Sequence, residues 1–327
     1  MTWILVVLIA LSLIFDFLNG FLGSSSIVAT VISSRAVGPR RALAMTAIAE
    51  FAGPLLFGVA VAVTMGSGLV DLALVNTAAI LSAVSAAIIW SLFTFYTGLP
   101  SSTSHALVGG LVGGALAATG PSALHWTGLA KVAIALFLSP FLGMIFGYLT
   151  LKTLYFLARG ATPSVNTLFK RLQLVTAVIL ALSHSTNDAQ KAMGVIAMSM
   201  VVTGYTAQFG IPWWVIMLCA FAIGLGTAVG GWRLIRTFGA KFYKIRPVHA
   251  FGAQLSSAAV ILGAGLLGGP VSSVHVISSA IVGAGSADRV SKVRWHVVRD
   301  MVLAWLVTIP FSALLAVGVY QIASRLV

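Results

Sequence analysis

Hydrophobic positions run along this chain in long blocks, not in the alternating or narrow-striped patterns of a soluble fold. Apolar runs fall near 3–18, 42–65, 76–97, 128–157, 172–183, 211–229, 249–267 and 296–323. A helix needs about 20 apolar residues to cross a bilayer core, and several of these runs reach that length. The blocks predict an all-α, polytopic membrane protein with on the order of ten membrane segments. Between them, the stretches 20–34, 98–119, 184–203 and 268–286 are apolar but interrupted by Gly, Pro, Ser and Thr. Irregular backbone at membrane depth is tolerated only where it is buried in protein or lines a cavity. These four stretches are therefore expected to be broken or re-entrant elements that carry a site, with Asp71 and Asp288 in loops. Residues 3–15 have no basic region before them and no cleavage site after them, so they read as a first membrane helix that is kept.

Two of the interrupted stretches are copies. Gly98-Leu99-Pro100-Ser101-Ser102-Thr103-Ser104-His105 opens one, and Gly268-Gly269-Pro270-Val271-Ser272-Ser273-Val274-His275 opens the other. A shift of 170 residues superposes Pro100 on Pro270, Ser102 on Ser272, His105 on His275 and Gly113 on Gly283. Paired broken segments in two halves of a membrane chain point to a transporter's central site. The expected organisation is a first transmembrane repeat over 1–125, a connecting helix and basic linker over 126–171, and a second repeat over 172–327.

Composition narrows the class. Hydrophobic residues make up 59% of the 327-residue chain and charged residues 8%, against a net charge of +13. A soluble domain carries about 25% charged residues, so lipid is the solvent that fits. The basic residues sit in short clusters between apolar runs: Arg35, Arg40 and Arg41; Lys152, Arg159, Lys170 and Arg171; Arg233, Arg236, Lys241, Lys244 and Arg246; Arg289, Lys292, Arg294 and Arg299. That distribution is the positive-inside pattern of cytoplasmic loops, not a nucleic-acid footprint. It places the chain in a cell's inner, cytoplasmic membrane. The single cysteine, Cys219, reads as a small buried apolar residue.

The polar residues left inside the apolar blocks suggest the chemistry. A Pro followed by hydroxyl residues suits the first turn of a helix, where free N–H groups and the helix dipole favour an anion. Ser102, Thr103, Ser104, Ser272 and Ser273 are expected to bind the oxygens of a tetrahedral oxyanion through neutral donors. His105 and His275 read as packing histidines bonded to a backbone carbonyl, with a proton-relay role as the alternative. Asp188 lies between apolar runs in Ser183-His184-Ser185-Thr186-Asn187-Asp188-Ala189-Gln190-Lys191. An intramembrane carboxylate is costly and marks function; this one would bind a coupling cation or accept the proton that phosphate carries. Pairing with Lys191 three residues on is the competing reading. Asp16 and Glu50 each suit a cation site or a helix–helix hydrogen bond. A hydrolytic triad of Ser102, His105 and Asp188 is disfavoured, because Ser102 and His105 recur in the second half and no nucleophile elbow is present. An anion channel and a non-transporting accessory subunit remain as other classes.

At these residues the chain resembles the PiT family of inorganic phosphate transporters. Ser183 to Gly194 matches its second signature. The two Pro-hydroxyl-His runs match another hallmark, and Asp16-Phe17-Leu18-Asn19-Gly20-Phe21 and Thr30-Val31-Ile32-Ser33-Ser34-Arg35 match the entry and exit of its first signature. The resemblance implies two inverted repeats, a midplane anion site, coupling to Na⁺ or H⁺, no cofactor, and a homodimer. The second signature brings Asn187 and Gln190, with Asp188, Glu50 and Asp16, into the expected coupling-cation set, and Asn187 and Asp188 into the anion set. The first signature departs from the family: Leu22, Gly23 and Ser26 stand where Asn or His, Asp and Asn are usual. Gln254 replaces a Glu and Val274 a Thr. With Gly23 amid Ser24, Ser25 and Ser26, the site is donor-rich and less negative, which favours a proton-free dianion such as sulfate as the alternative to phosphate. Fewer carboxylates also imply weak Na⁺ dependence and coupling to H⁺.

Overall fold

The computed structural model describes residues 2–99, 101–162, 164–231 and 245–326. Pro100 and the basic residues Arg233, Arg236, Lys241 and Lys244 lie outside the described residues. Among those described, eleven α-helices account for the regular structure, besides two short 3₁₀ turns and one isolated β-bridge between Val70 and Leu124. The helices are α1 (Trp3–Ser33), α2 (Pro39–Leu56), α3 (Ala60–Ser67), α4 (Thr77–Thr97), α5 (Thr103–Thr119), α6 (Trp126–Leu157), α7 (Val165–Val202), α8 (Trp213–Val229), α9 (Pro247–Leu266), α10 (Ser273–Asp288) and α11 (Trp295–Ala323). Six of them, α1, α4, α6, α7, α9 and α11, are long and apolar enough to cross a membrane. The pair α2 and α3 passes the same test but bends by 75° at its break.

The surface is the inverse of a soluble protein's. Phe141 on α6 and Leu314 on α11 are 59% and 68% exposed, while Asp16, Glu50, His184 and Lys191 are fully buried. Large apolar side chains facing outward and ionisable ones facing inward fit a hydrocarbon solvent.

Two of the four interrupted stretches are not broken. Residues 20–34 belong almost wholly to the 31-residue helix α1, and 184–203 to the 38-residue α7. Their hydroxyls explain the continuity: Ser24, Ser25 and Ser26 donate to the carbonyls of Phe21, Leu22 and Gly23, and Ser185 to that of Ala181. Such bonds satisfy a hydroxyl without interrupting the helix. Conversely, the apolar run 42–65 contains a break. Pro54 removes an N–H near the end of α2, Gly58 takes φ +76°, and α3 leaves in a new direction. Asp288 ends α10 instead of lying in a loop.

The two copied stretches do break, and in the same way. Each is a long helix followed, after a short break, by a shorter helix: α4 to α5, and α9 to α10. Ser102 and Ser272 are the matching N-caps, their side chains accepting from the backbone N–H of His105 and His275. The short helices pack against long ones through glycines. A Cβ at Gly113 would strike the backbone of Ala313 on α11, and one at the matching Gly283 the backbone of Met144 on α6. Small residues at these crossings let helices approach in the absence of a hydrophobic drive.

Candidate functional site

The starts of α5 and α10 meet in the interior. The rings of His105 and His275 lie 4.7 Å apart by centroid, and the Ser104 hydroxyl donates to the Val271 carbonyl over 3.1 Å. His105 is held by Ser102, 2.8 Å from its Nδ1, and not by a backbone carbonyl; His275 stacks on Trp305 at 3.9 Å. Two helix N-termini thus converge with their hydroxyl residues, the arrangement that favours an anion. Ser102, Ser104, Ser272 and Ser273 are all buried there, and Thr103 is half-buried at the first position of α5. Among the described residues the Ser273 hydroxyl has no hydrogen-bond partner.

α7 presents one polar stripe to this junction. His184, Asn187, Asp188 and Lys191 recur at the spacing that places residues on one helical face. Asn187 clips the loop before α10, donating to the Gly269 carbonyl at 3.0 Å and accepting from the Val271 N–H at 3.3 Å. Lys191 has three N–H donors and three acceptors: Asp188 Oδ1, Ser104 Oγ at 2.6 Å and the Val271 carbonyl at 2.9 Å. Asp188 is therefore paired with Lys191, the competing reading of its sequence neighbourhood, and its second oxygen stands 2.9 Å from His184 Nε2.

On the other side of the ring, His184 Nδ1 stands 2.9 Å from Glu50 Oε1. Each nitrogen of this buried imidazole faces a carboxylate. Both are ion-pair distances without hydrogen-bond alignment, and an imidazolium there would face two carboxylates. With His184 as an imidazolium, Glu50, His184 and Asp188 together carry one negative charge. With the Lys191 ammonium, the line of four groups is then electrically neutral. Glu50 also lies 2.6 Å from the Thr227 hydroxyl, which reaches the Gly20 carbonyl at 3.1 Å.

Asp16 is the acid left over. It is fully buried on α1, with Asn19 a turn away and Cys219 beside it, yet among the described residues neither its carboxylate oxygens nor the Asn19 amide makes a well-formed hydrogen bond. It lies within electrostatic reach of Glu50, Asp188 and His184.

Not every expected site residue joins this junction. Ser24, Ser25 and Ser26 sit mid-helix on α1 with hydroxyls turned onto their own backbone. Gln190 is occupied at the α2–α3 break, accepting from the N–H groups of Val61 and Ala62 and donating to the Gly58 carbonyl. Gln254 accepts from Thr176 and donates to Thr30, tying α9 to α7 and α1. Two partners went unassigned in the sequence: Thr227, a hydroxyl isolated in the apolar helix α8, and the carbonyl of Val271. His184 was legible only as a motif member, although it is the centre of the charge line.

A sequence profile described as "Phosphate transporter family" matches residues 19–316. A protein of Rhizobium meliloti named "Probable low-affinity inorganic phosphate transporter" is 42% identical over 97% of this chain and 96% of its own. A Bacillus subtilis protein of the same name is 42% identical over 99% and 97%. A solved structure described as "The sodium-dependent phosphate transporter" superposes with a TM-score of 0.90 at 25% identity, covering the whole of both chains. The profile and the relatives each span nearly the full length, and the chain belongs to the phosphate transporter family.

Proposed function

We propose that this multi-pass membrane protein is a secondary carrier that brings inorganic phosphate across the cytoplasmic membrane together with protons. The observation that carries this reading is the meeting of the α5 and α10 N-termini over the polar stripe of α7. Ser102, Thr103, Ser104, Ser272 and Ser273 supply neutral donors, and Lys191 adds one fixed positive charge. Neutral donors bind an anion weakly enough for release, as a carrier requires.

The coupling ion is read from charge balance. The Glu50–His184–Asp188–Lys191 line closes to neutrality with His184 as an imidazolium, and Asp16 is the further buried acid, without a well-formed hydrogen bond among the described residues. A proton on Asp16 removes the cost of a buried charge and needs no cage of ligands. Proton coupling is favoured over sodium, although the solved neighbour is named for sodium dependence. Phosphate is favoured over sulfate by the family itself; Asp188, engaged on both oxygens, does not choose between them.

The finer architecture belongs to the same proposal. Six long helices, the bent α2–α3 pair, α8 and the short α5 and α10 make about ten segments, arranged as two inverted repeats related by the copied Ser-capped starts. The homodimer rests on the family resemblance. The test is uptake of radiolabelled phosphate into proteoliposomes under an inward proton gradient, with sulfate in excess. Accumulation that collapses with a protonophore and resists sulfate supports the reading. No saturable uptake, or sulfate taken up in preference, contradicts it.

A further inference from the structure

Lys191 is fully buried, and its ammonium donates to three oxygens: the Asp188 carboxylate, the Ser104 hydroxyl and the Val271 carbonyl. This is the ligand set of an alkali cation, not of a phosphate. It combines one carboxylate, one hydroxyl and one carbonyl from the unwound segment before a half-helix, where transporters bind sodium. An ammonium and a sodium ion carry the same charge and prefer the same hard oxygen donors. The carbonyl cannot neutralise a charge, but it can ligate one, and Val271 offers it while the backbone N–H of the same residue is held by Asn187.

We infer that the Lys191 ammonium is a tethered cation permanently filling a site built for Na⁺, so that this chain needs no sodium at that position. The inference rests on the carrier reading above and adds why sodium is dispensable. The charge that a mobile cation would bring with phosphate is already covalently present. It spans the two halves, linking α7 to Ser104 at the start of α5 and to Val271 before α10, as a coupling ion would. Asp16 and His105 also face this ammonium, and His184 faces the same Asp188. Removing the ammonium leaves Asp188 with His184 as its one cationic neighbour among the described residues, in a cage vacated by the lysine side chain.

The experiment is Lys191→Ala, read in two ways against wild type in NaCl, KCl and choline chloride. One reading is thermal unfolding of the full chain in detergent; the other is radiolabelled phosphate uptake in proteoliposomes. Wild type is expected to show no sodium-specific change in either. Lys191→Ala is expected to be stabilised by Na⁺ with a saturating dose dependence and to show several-fold stimulation of uptake by Na⁺ over K⁺ and choline. A variant that folds only in sodium gives the same support. If it folds in none of the salts, Lys191→Ser, whose hydroxyl adds a ligand, takes both readings. Absence of sodium-specific stabilisation in both variants overturns the inference, as does equal stabilisation by all three salts, or a wild type already stabilised by sodium. Failure of wild type to carry phosphate would overturn the carrier reading instead, and the unfolding arm would still decide the sodium site.

Discussion

The imidazole of His184 lies directly over Gly23, so closely that a Cβ at position 23 would overlap the ring. The missing first-half acid and the central histidine are thus one feature. The family resemblance leads one to expect Asp at 23, and here the space is occupied by a ring that reaches Glu50 and Asp188 together. Gly23→Ala is expected to push His184 off at least one carboxylate. Overpacking costs about 1–3 kcal/mol, visible as a lower melting temperature, and proton-driven uptake should fall further than stability does. Uptake and melting unchanged from wild type would show that the ring does not need this space.

Asp188 and Asp71 make opposite predictions. Asp188 is buried between His184 and Lys191, whereas Asp71 lies outside the helices and accepts from the Ala73 N–H. Asp188→Asn leaves the Lys191 ammonium without its carboxylate, and breaking a buried pair costs about 3–5 kcal/mol. Asp71→Asn should change stability by less than about 0.5 kcal/mol, as at ordinary surface positions. Equal uptake by the two variants at equal expression would count against the assignment.

The matched caps should behave as a pair. Ser102→Ala and Ser272→Ala each remove the acceptor for a backbone N–H, worth about 1 kcal/mol, and a donor near the proposed anion. A lost hydrogen bond to a charged group is worth about 1.5–3 kcal/mol, or roughly tenfold or more in apparent affinity. Both variants should therefore raise the KM for phosphate by similar factors with smaller changes in maximal rate. A large effect in one and none in the other would show that the two half-helices do not share one ligand.

Asp16 separates coupling from binding. Asp16→Asn removes the buried acid of this centre that has no well-formed partner among the described residues. It should retain phosphate–phosphate exchange at matched pH while losing accumulation driven by a proton gradient. If accumulation survives, the coupling proton sits elsewhere.

Much of this could be read from residue order. The copied Pro-hydroxyl-His runs located both half-helix starts, but not their caps: Ser102 and Ser272 cap the helices, and Pro270 lies two residues before its cap instead of in the first turn. The pairing of Asp188 with Lys191 was legible by helical spacing. The length of α1 and α7 was not, since serines that bond their own backbone look in sequence like serines that interrupt it. The α2–α3 break hid within an apolar run because its signal is one Pro and one Gly, and its stabilising partner, Gln190, is distant in sequence. Thr227 was invisible for a similar reason: nothing in α8 announces that its hydroxyl faces Glu50.

The most direct test of proton-coupled phosphate transport is uptake of radiolabelled phosphate into proteoliposomes at fixed external pH, with Na⁺ replaced by choline and an inward proton gradient imposed or withheld. The account predicts saturable accumulation without sodium that rises with the proton gradient and collapses with a protonophore. Uptake that disappears in choline and is not restored by the proton gradient would contradict it and assign the coupling to sodium.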